Sequence, residues 1–139
     1  NTKPHDVGEI LRDYLDTVEY KSEVIIDDNL PTLEVNAPLF CTALDNLIRN
    51  GLKYNDSASR MVTVTKLDEH HIAVLDNGRG MSQEEFLEFS KPYTRKAGQQ
   101  ENGTGLGLNI CIAILNEHGF SVSSSVRPEG GTEIKVRIS

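Results

Sequence analysis

The chain has 139 residues, 37% of them hydrophobic, and a formal net charge of −7, which together predict one globular domain, 1–139, with a core of its own. The negative charge excludes general binding to DNA or RNA backbones, because that binding requires a basic face. No apolar run approaches the roughly 18–20 residues that span a bilayer, so we expect no direct membrane contact. Cys41 and Cys111 lie in apolar helical patterns, which favours reduced thiols in a cytoplasmic domain.

Two helices and a short strand are predicted in the first part of the chain. Apolar residues recur at helical spacing over 7–18, and Asp6 is suited to cap that helix. The run EVIID at 23–27 is rich in β-formers and is followed by a polar turn, which predicts a strand. A second apolar stripe predicts a longer helix over 37–54, which Asn36 caps.

Two hairpins, with a loop and a helix between them, are predicted in the remainder. The runs at 61–67 and 71–76 are β-rich and joined by a short turn, and a loop and the start of a helix follow them. Residues 89–103 are polar, aperiodic and contain Pro and Gly, which predicts a long mobile loop with a function. A helix to about His118 and two strands around the turn RPEGG close the chain.

These elements follow one another as α-β-α-β-β-loop-α-β-β. The strands occur as hairpins with helices between them, whereas a doubly wound nucleotide fold alternates strand and helix regularly. We therefore predict an α+β fold, a two-layer α/β sandwich. Its sheet is expected to be mixed and mostly antiparallel, with three main helices on one face.

A polar face remains on the predicted helix 37–54 beside its apolar stripe. Asn46, Asn50 and Lys53 follow at i, i+4 and i+7 and therefore share one side of the helix. A solvated helix face would explain this pattern, but asparagine is a poor helix former, and two of them need a reason. The amide oxygen of asparagine suits Mg²⁺, and a lysine one turn away can neutralise phosphates.

A carboxylate stands at the end of the predicted strand 71–76, directly before the segment NGRG. Asp76 initiates an ordinary turn in one interpretation. In the other, it accepts a hydrogen bond from an exocyclic amino group such as that of adenine. Gly78 and Gly80 then let the backbone lie close to a flat ring.

Three glycines, Gly103, Gly105 and Gly107, alternate in the segment GTGLGL directly before an apolar helix. Backbone N–H groups at a helix start are unpaired and carry partial positive charge. Glycine lets phosphate oxygens approach these groups, which favours a phosphate site over a merely flexible lead-in. No GKS or GKT follows, so the segment is not a P-loop.

The predicted mobile loop carries the cations Lys91, Arg95 and Lys96 and the aromatic residues Phe89 and Tyr93. A solvated charged loop is the common fate of such a run. A lid over a nucleotide would instead direct the cations to the terminal phosphate and use the aromatic rings to dock it shut. Both interpretations stay open at this point.

Two other chemistries find no support in the sequence. The serine run near the end has no neighbouring His/Asp pattern, which argues against a hydrolase triad. The histidines have no metal-ligand spacing and are predicted at the surface or at helix ends; they are His5, His70, His71 and His118.

Four motifs stand in one order along the chain: DNLIRNGLKYN, DNGRGM, FSKPYTRK and GTGLGL. Together they resemble the N, G1, F and G2 boxes of the catalytic, ATP-binding domain of bacterial sensor histidine kinases. The wider superfamily includes gyrase, a heat-shock chaperone and a mismatch-repair protein. Each box is weak alone, but four in sequence over essentially the whole chain are specific. The resemblance implies a Bergerat-type sandwich with ATP and Mg²⁺ between its helices and a mobile lid at about 89–103.

The motif match implies a role for each matched residue. Asn50 would coordinate Mg²⁺, Asn46 would support the metal and the phosphates, and Lys53 would contact phosphate. Asp76 would bind the adenine amino group. The implied nucleotide contacts, with Arg95 or Lys96 at the γ-phosphate, are Tyr54, Asp76, Gly78, Gly80, Lys91, Tyr93, Arg95, Lys96, Gly103, Thr104, Gly105, Leu106 and Gly107.

One position separates kinases from the hydrolysing relatives, which carry a water-activating glutamate four residues before the metal asparagine. This chain has Asn46 there, which cannot act as a base, so the resemblance implies transfer to a protein acceptor. No histidine stands in a phosphoacceptor setting, which implies a separate dimerisation and phosphoacceptor domain and a response regulator downstream.

Two smaller departures from the family pattern concern the segment after Asn50. Gly51 replaces the usual alanine and is expected to weaken the helix by ~1 kcal/mol. Asn55 stands where threonine or serine is common. Two alternative functions also stay open: a serine kinase resembling the anti-sigma factors, and a non-catalytic binding module of the same fold.

Overall fold

The protein combines a β-sheet with a set of α-helices. The computed structural model describes residues 1–91 and 104–139. A 3₁₀ turn at Lys21–Glu23 precedes the second strand. In chain order the elements are β1 (Lys3–Asp6), α1 (Val7–Tyr14), β2 (Val24–Ile26), β3 (Thr32–Val35), α2 (Ala37–Lys53), β4 (Val62–Asp68), β5 (His71–Asp76), α3 (Gln83–Phe89), α4 (Thr104–Glu117), β6 (Ser121–Val126) and β7 (Thr132–Arg137).

The main sheet has five strands within the described residues, in the order β2-β4-β5-β7-β6. β2 runs parallel to β4, and every other neighbouring pair is antiparallel. The predicted mixed, mostly antiparallel sheet is confirmed. Val62 pairs with Asp76, so β5 ends beside the start of β4 and close to the segment that leaves α2.

The core lies between this sheet and helices α2 and α4. The apolar stripe of α2 is fully buried there and contains Phe40, Leu44, Leu47 and Ile48. Each such side chain contributes about 1.5–3 kcal/mol through burial, so α2 is a firm support for the polar face on its other side. Within the described ranges, no helix has both the length and the apolar character needed to cross a bilayer.

The caps predicted from the sequence are present. Asn36 accepts a hydrogen bond from the Leu39 N–H at 3.1 Å at the start of α2, and Asp6 accepts one from the Glu9 N–H at 3.1 Å. His118 directly follows α4, close to the predicted helix end, but its ring is half-buried. Its Nε2 accepts a hydrogen bond from the Asn36 N–H at 3.0 Å, which joins the start of α2 to the end of α4.

Both cysteines are free and buried, which confirms the predicted thiols. Burial raises the pKa of Cys41 to about 11 and that of Cys111 to about 12. Cys111 also donates its S–H to the Ala43 carbonyl at 3.3 Å, so it links α4 to α2.

Several element boundaries differ from the prediction. α1 ends at Tyr14 and not at 18. The predicted helix was too long because the turn after α1 still buries Leu15, which continues the apolar spacing in the sequence. Strands β1 and β3 were not predicted; they form a separate antiparallel pair, and each has only four residues, so the alternation in β3 is too brief to indicate a strand on its own.

The helices around the predicted lid also need correction. α3 is a complete helix with a capping box between Ser82 and Glu85, so a fourth, shorter helix joins the three predicted ones. Phe89 is the last residue of α3 and not the first residue of the loop. α4 begins at Thr104, so the second and third glycines of GTGLGL lie inside the helix and not before it.

Candidate functional site

The polar face of α2 lines an open cleft of about 470 Å³. Asn46, Asn50 and Lys53 all border this space, and Gly107 of α4 borders it from the other side. We call it the α2 cleft. The structure therefore brings together four of the predicted site residues, from segments that are far apart in the chain.

Asn50 has an unusual environment at the wall of the cleft. Its side chain is only 6% exposed, and its Oδ1 has no hydrogen-bond partner within the described part of the chain. A buried, unpaired acceptor costs free energy unless a ligand or water completes it. An amide oxygen is also a ligand that Mg²⁺ accepts, so the residue fits a cation site.

Asn46 joins the two helices across the cleft. Its Nδ2 donates a hydrogen bond to the Gly107 carbonyl at 3.2 Å. A Cβ built at Gly107 would meet only Asn46 among the residues that the structure describes, and that at 3.8 Å, which is ordinary contact. The start of α4 is thus held near α2.

Asp76 lies at the end of β5, beside the last turn of α2, and is 6% exposed. Its Oδ1 accepts hydrogen bonds from the Gly78 N–H at 2.8 Å and the Thr132 N–H at 3.1 Å. Arg127 donates to the Asp76 carbonyl at 2.7 Å. Burial raises the pKa of the carboxyl, although these hydrogen bonds and the Arg127 charge oppose that shift. The carboxylate is therefore held in one orientation.

Gly51 brings α2 against this carboxylate. A Cβ at position 51 would lie 3.0 Å from Asp76 Oδ2 and 3.2 Å from Val62 Cγ2, tighter than ordinary contact. The departure from alanine therefore has a packing reason: the bare backbone lets the helix approach β5. Gly51 lowers the helix propensity of α2, but it allows α2 to approach Asp76 more closely than alanine would.

Gly131 and Thr132 support Asp76 but were missed in the sequence. Gly131 has φ +99°, and a Cβ there would lie 1.9 Å from the Asp76 carbonyl oxygen. Only glycine fits such a position. The paired glycines before the last strand were a visible signal, but nothing local connects them to a residue in β5.

Two asparagines tie the end of α2 to the end of β5. Asn55 is buried, and its Nδ2 donates to the Gly51 carbonyl at 3.3 Å and to Asn77 Oδ1 at 2.8 Å. Asn77 in turn donates to the Ser59 carbonyl at 2.9 Å and accepts from the Met61 N–H at 3.0 Å. Asn55 thus bridges the two segments through the two N–H donors of its amide. Serine or threonine could not do so, because a hydroxyl has a single donor.

The segments beside this bridge are packed closely. Gly78 lies against the Tyr54 carbonyl, and Gly80 follows with φ +92°. The Tyr54 ring stacks on Phe89 of α3, with 5.4 Å between ring centroids. Lys53 Nζ lies 6.0 Å from the centroid of the Tyr54 ring.

The remaining predicted contacts lie in or beside the predicted lid. Lys91 is exposed after α3 and forms an ion pair with Glu88 at 3.2 Å. For positions 104–106 only membership of α4 is described. Outside the described residues lie Tyr93, Arg95, Lys96 and Gly103, and so do the side chains of Thr104, Gly105 and Leu106.

The outer rim of the cleft carries charged residues that the sequence analysis did not select. Arg49 and Arg60 line it, together with Glu19, Tyr20 and Glu23. The signal for Arg49 was its place three residues after Asn46 on the same helix. The others come from separate segments, which only folding brings to the cleft.

A family model described as histidine kinase-, DNA gyrase B- and HSP90-like ATPase matches residues 36–139, which contain α2, Asp76 and α4. The chain belongs to this family. The predicted resemblance is confirmed, and membership implies that the domain binds ATP.

The chain is similar to several curated proteins that are named as sensor proteins or as a kinase. It is 32% identical to sporulation kinase C of Bacillus subtilis (strain 168) over 126 residues, 84% of this chain and 29% of that protein. It is 36% identical to the sensor protein QseC of Salmonella typhi over 106 residues, 76% of this chain and 23% of that protein. For the sensor protein EvgS of Escherichia coli (strain K12) the identity is 30% over 113 residues, 76% of this chain and 9% of that protein. The chain thus spans a minor part of each relative.

Solved structures with the same fold confirm the two-layer α+β sandwich. The nucleotide-free catalytic domain of histidine kinase ThkA has a TM-score of 0.74 at 20% identity, covering 99% of this chain and 95% of that one. The mycobacterial sensor histidine kinase MprB has a TM-score of 0.72 at 22% identity, covering 97% and 96%. At these identities the likeness concerns the fold.

Proposed function

We propose that this chain binds ATP with Mg²⁺ and transfers the γ-phosphoryl group to a histidine of a dimerisation domain outside the chain. The observation that carries the proposal is Asn50 Oδ1, a buried acceptor without a partner in the described residues, at the wall of a polar cleft. Membership of the ATPase and kinase family supports ATP as the ligand.

Asp76 is proposed to bind the adenine amino group. Two backbone N–H groups hold its Oδ1, so the carboxylate needs no reorientation when a donor arrives. Gly78, Gly80 and Tyr54 are proposed to form the neighbouring wall. The contacts from Thr132 to the Asp76 carboxylate and from Arg127 to the Asp76 carbonyl are part of this proposal, because they hold Asp76 in the orientation that would accept the adenine amino group.

The phosphate end is proposed at α2 and the start of α4. Asn50 would hold Mg²⁺ through Oδ1, Asn46 would support it, and Lys53 would contact a phosphate. When bound, Mg²⁺ neutralises phosphate charge. The remaining proposed contacts are Lys91, Tyr93, Arg95, Lys96, Gly103, Thr104, Gly105, Leu106 and Gly107.

Transfer is proposed in preference to hydrolysis. Asn46 stands where the hydrolysing relatives carry glutamate, and an amide cannot take a proton from water. The neighbouring carboxylate, Asp45, is buried and accepts the Tyr20 hydroxyl, so it is engaged away from a water in the cleft. Positioning and charge neutralisation then suffice for phosphoryl transfer.

We also propose the surroundings in which the chain works. The relatives are sensor proteins several times longer than the matched segment, which supports a phosphoacceptor domain in a longer parent and a response regulator downstream. A cytoplasmic location, without membrane contact by this domain, fits that arrangement. The net charge of −7 argues against a nucleic-acid partner.

Phosphorylation of the parent protein's dimerisation domain by the chain with Mg²⁺ and labelled ATP tests the proposal. We expect an acid-labile phosphoprotein, which is lost with Asp76→Ala. An acid-stable product would instead assign a serine kinase. If the chain binds no nucleotide at millimolar concentration, either with or without Mg²⁺, it is a non-catalytic module and the proposal is wrong.

A further inference from the structure

Three residues outside the matched nucleotide contacts meet at the outer rim of the α2 cleft. Asp45 is 5% exposed on α2 and accepts a hydrogen bond from the Tyr20 hydroxyl. Arg49, one turn further along α2, places Nη1 3.6 Å from the other carboxylate oxygen of Asp45. Tyr20 and Arg49 both line the cleft that Asn46 and Asn50 line.

Helix geometry places Arg49 on the side of Asn50 that is remote from Asp76. Gly51 contacts Asp76, and Asn50, Arg49 and Asn46 follow in that order away from it, about 1.5 Å apart per residue. Arg49 is also turned about 100° from Asn50 around the axis, toward the rim that contains Tyr20. A nucleotide with its base at Asp76 and a metal at Asn50 would extend its terminal phosphate toward this rim.

Asp45 holds the Arg49 guanidinium only loosely. The Arg49 side chain is 62% exposed, and 3.6 Å is longer than an ordinary N–H···O hydrogen bond. The carboxylate therefore orients the guanidinium without using up its five N–H donors.

Arg60 borders the same cleft and shows the opposite arrangement. Its guanidinium donates to both carboxylate oxygens of Glu23 at 3.0 Å and to the Leu52 carbonyl at 3.0 Å. Arg60 is thus committed to holding the segment before β2 against the end of α2. Arg49, by contrast, keeps donors that face the cleft.

Tyr20 keeps Asp45 in place. Burial, followed by the hydrogen bond to Asp45, raises the pKa of the Tyr20 hydroxyl, so the hydroxyl remains a donor at all physiological pH values. A buried carboxylate with a permanent donor on one oxygen presents the other oxygen to Arg49. Tyr20, Asp45 and Arg49 thus form a chain of polar contacts from the α1–β2 connection to the cleft.

We propose that Arg49, oriented by Asp45 and Tyr20, binds the terminal phosphate of the nucleotide and makes the site prefer ATP to ADP. The proposal rests on the proposed function, because it requires a nucleotide in the α2 cleft. A guanidinium can form two parallel hydrogen bonds with phosphate oxygens, which a lysine cannot. Arg49 acts here as a specificity-determining residue, and Asp45 and Tyr20 act as positioning residues.

Calorimetric binding of ADP and of the non-hydrolysable analogue AMP-PNP, each with Mg²⁺, tests the assignment. For Arg49→Gln we expect AMP-PNP affinity to fall about 10-fold or more, the effect of losing a charge-assisted hydrogen bond, while ADP affinity stays within about 2-fold. Arg49→Lys keeps the charge but not the planar fork, and Tyr20→Phe loosens Asp45. In both variants we expect the affinity for AMP-PNP to fall about 3-fold and the affinity for ADP to stay unchanged.

Arg12→Gln is the control for the loss of an arginine charge, since Arg12 pairs with Asp28 and donates to the Ile26 and Asp27 carbonyls, and it does not line the cleft. It should leave the AMP-PNP to ADP affinity ratio unchanged, and thermal unfolding checks that every variant folds. An unchanged ratio in both Arg49 variants overturns this inference alone, provided that the parent chain binds both nucleotides. If the parent chain binds neither, the proposed function fails and this inference fails with it.

Discussion

The two sides of the proposed nucleotide site, one at Asp76 and the other at Asn50 in the α2 cleft, are built in different ways; we call them its two walls. At Asp76, the protein's own N–H groups and Arg127 hold the carboxyl group and its carbonyl. At Asn50, the buried amide oxygen has no partner in the described chain. The first wall is complete without a ligand, whereas we propose that a ligand completes the second. Substitutions near Asp76 should therefore change folding and binding together, and those at Asn50 should change binding alone.

The largest expected effect is on the Asp76 wall, from Gly131→Ala. The new Cβ would lie 1.9 Å from the Asp76 carbonyl oxygen, in a backbone with φ +99°. We expect a loss of about 3 kcal/mol or more in the free energy of unfolding, from steric overlap and strain together. Urea unfolding measures it.

Gly130→Ala is the matched control for that variant. Gly130 has a similar φ of +102°, but a Cβ there meets nothing within 4 Å. It should cost only the backbone strain, about 1–2 kcal/mol. Equal losses for the two variants would show that the contact with Asp76 does not matter.

The next effect concerns the other wall, through Asn50→Ala. Removing an unpaired buried acceptor should leave the free energy of unfolding within about 1 kcal/mol, because no hydrogen bond within the described chain is lost. The affinity for Mg²⁺ with AMP-PNP should fall by about 10–100-fold or more, since even supporting residues of metal sites have effects of that size. Calorimetry and urea unfolding measure the two quantities separately.

Asn116→Ala, on the exposed side of α4, controls for the loss of an asparagine side chain. It should leave both quantities unchanged. If Asn50→Ala destabilised the fold strongly while binding persisted, the distinction between the two walls would be lost.

A smaller effect is expected from Asn55→Ser, which restores a residue type common in the family. Serine cannot span from the Gly51 carbonyl to Asn77, so two donated hydrogen bonds are lost. We expect about 1–2 kcal/mol less stability. Ser59→Ala keeps the backbone carbonyl that Asn77 uses and should change stability little. Equal values for the two variants would argue against the Asn55 bridge.

The smallest effect is a pH dependence at Asp76. Burial raises its pKa in the folded state above the ordinary 3.8, so the folded state retains the proton longer than the unfolded chain. Its contribution to stability is present below pH 3.8 and is lost as the pH rises through the folded pKa. Asp76→Asn removes this term, so its stability relative to the parent chain should improve as the pH rises from 3.8. A constant difference between the two proteins would contradict the raised pKa.

Local chemistry in the sequence determined helix α2, which carries the wall at Asn50. The caps at Asp6 and Asn36 and the apolar stripe of α2 depend on residues within a few positions of one another, so they could be predicted. The shared face of Asn46, Asn50 and Lys53 follows from helical periodicity alone, whatever packs on the other side. For the same reason the four ordered motifs were enough to predict the family.

Only the tertiary structure decided what completes the site. Gly131 meets Asp76, Asn55 meets Asn77, and Tyr20 reaches the carboxylate beside Arg49 because separate segments pack together. No local spacing encodes such contacts, since they depend on how sheet and helices are arranged around a common core. Strands β1 and β3 were not predicted for the same reason: each has only four residues, and each is stabilised by pairing with the other.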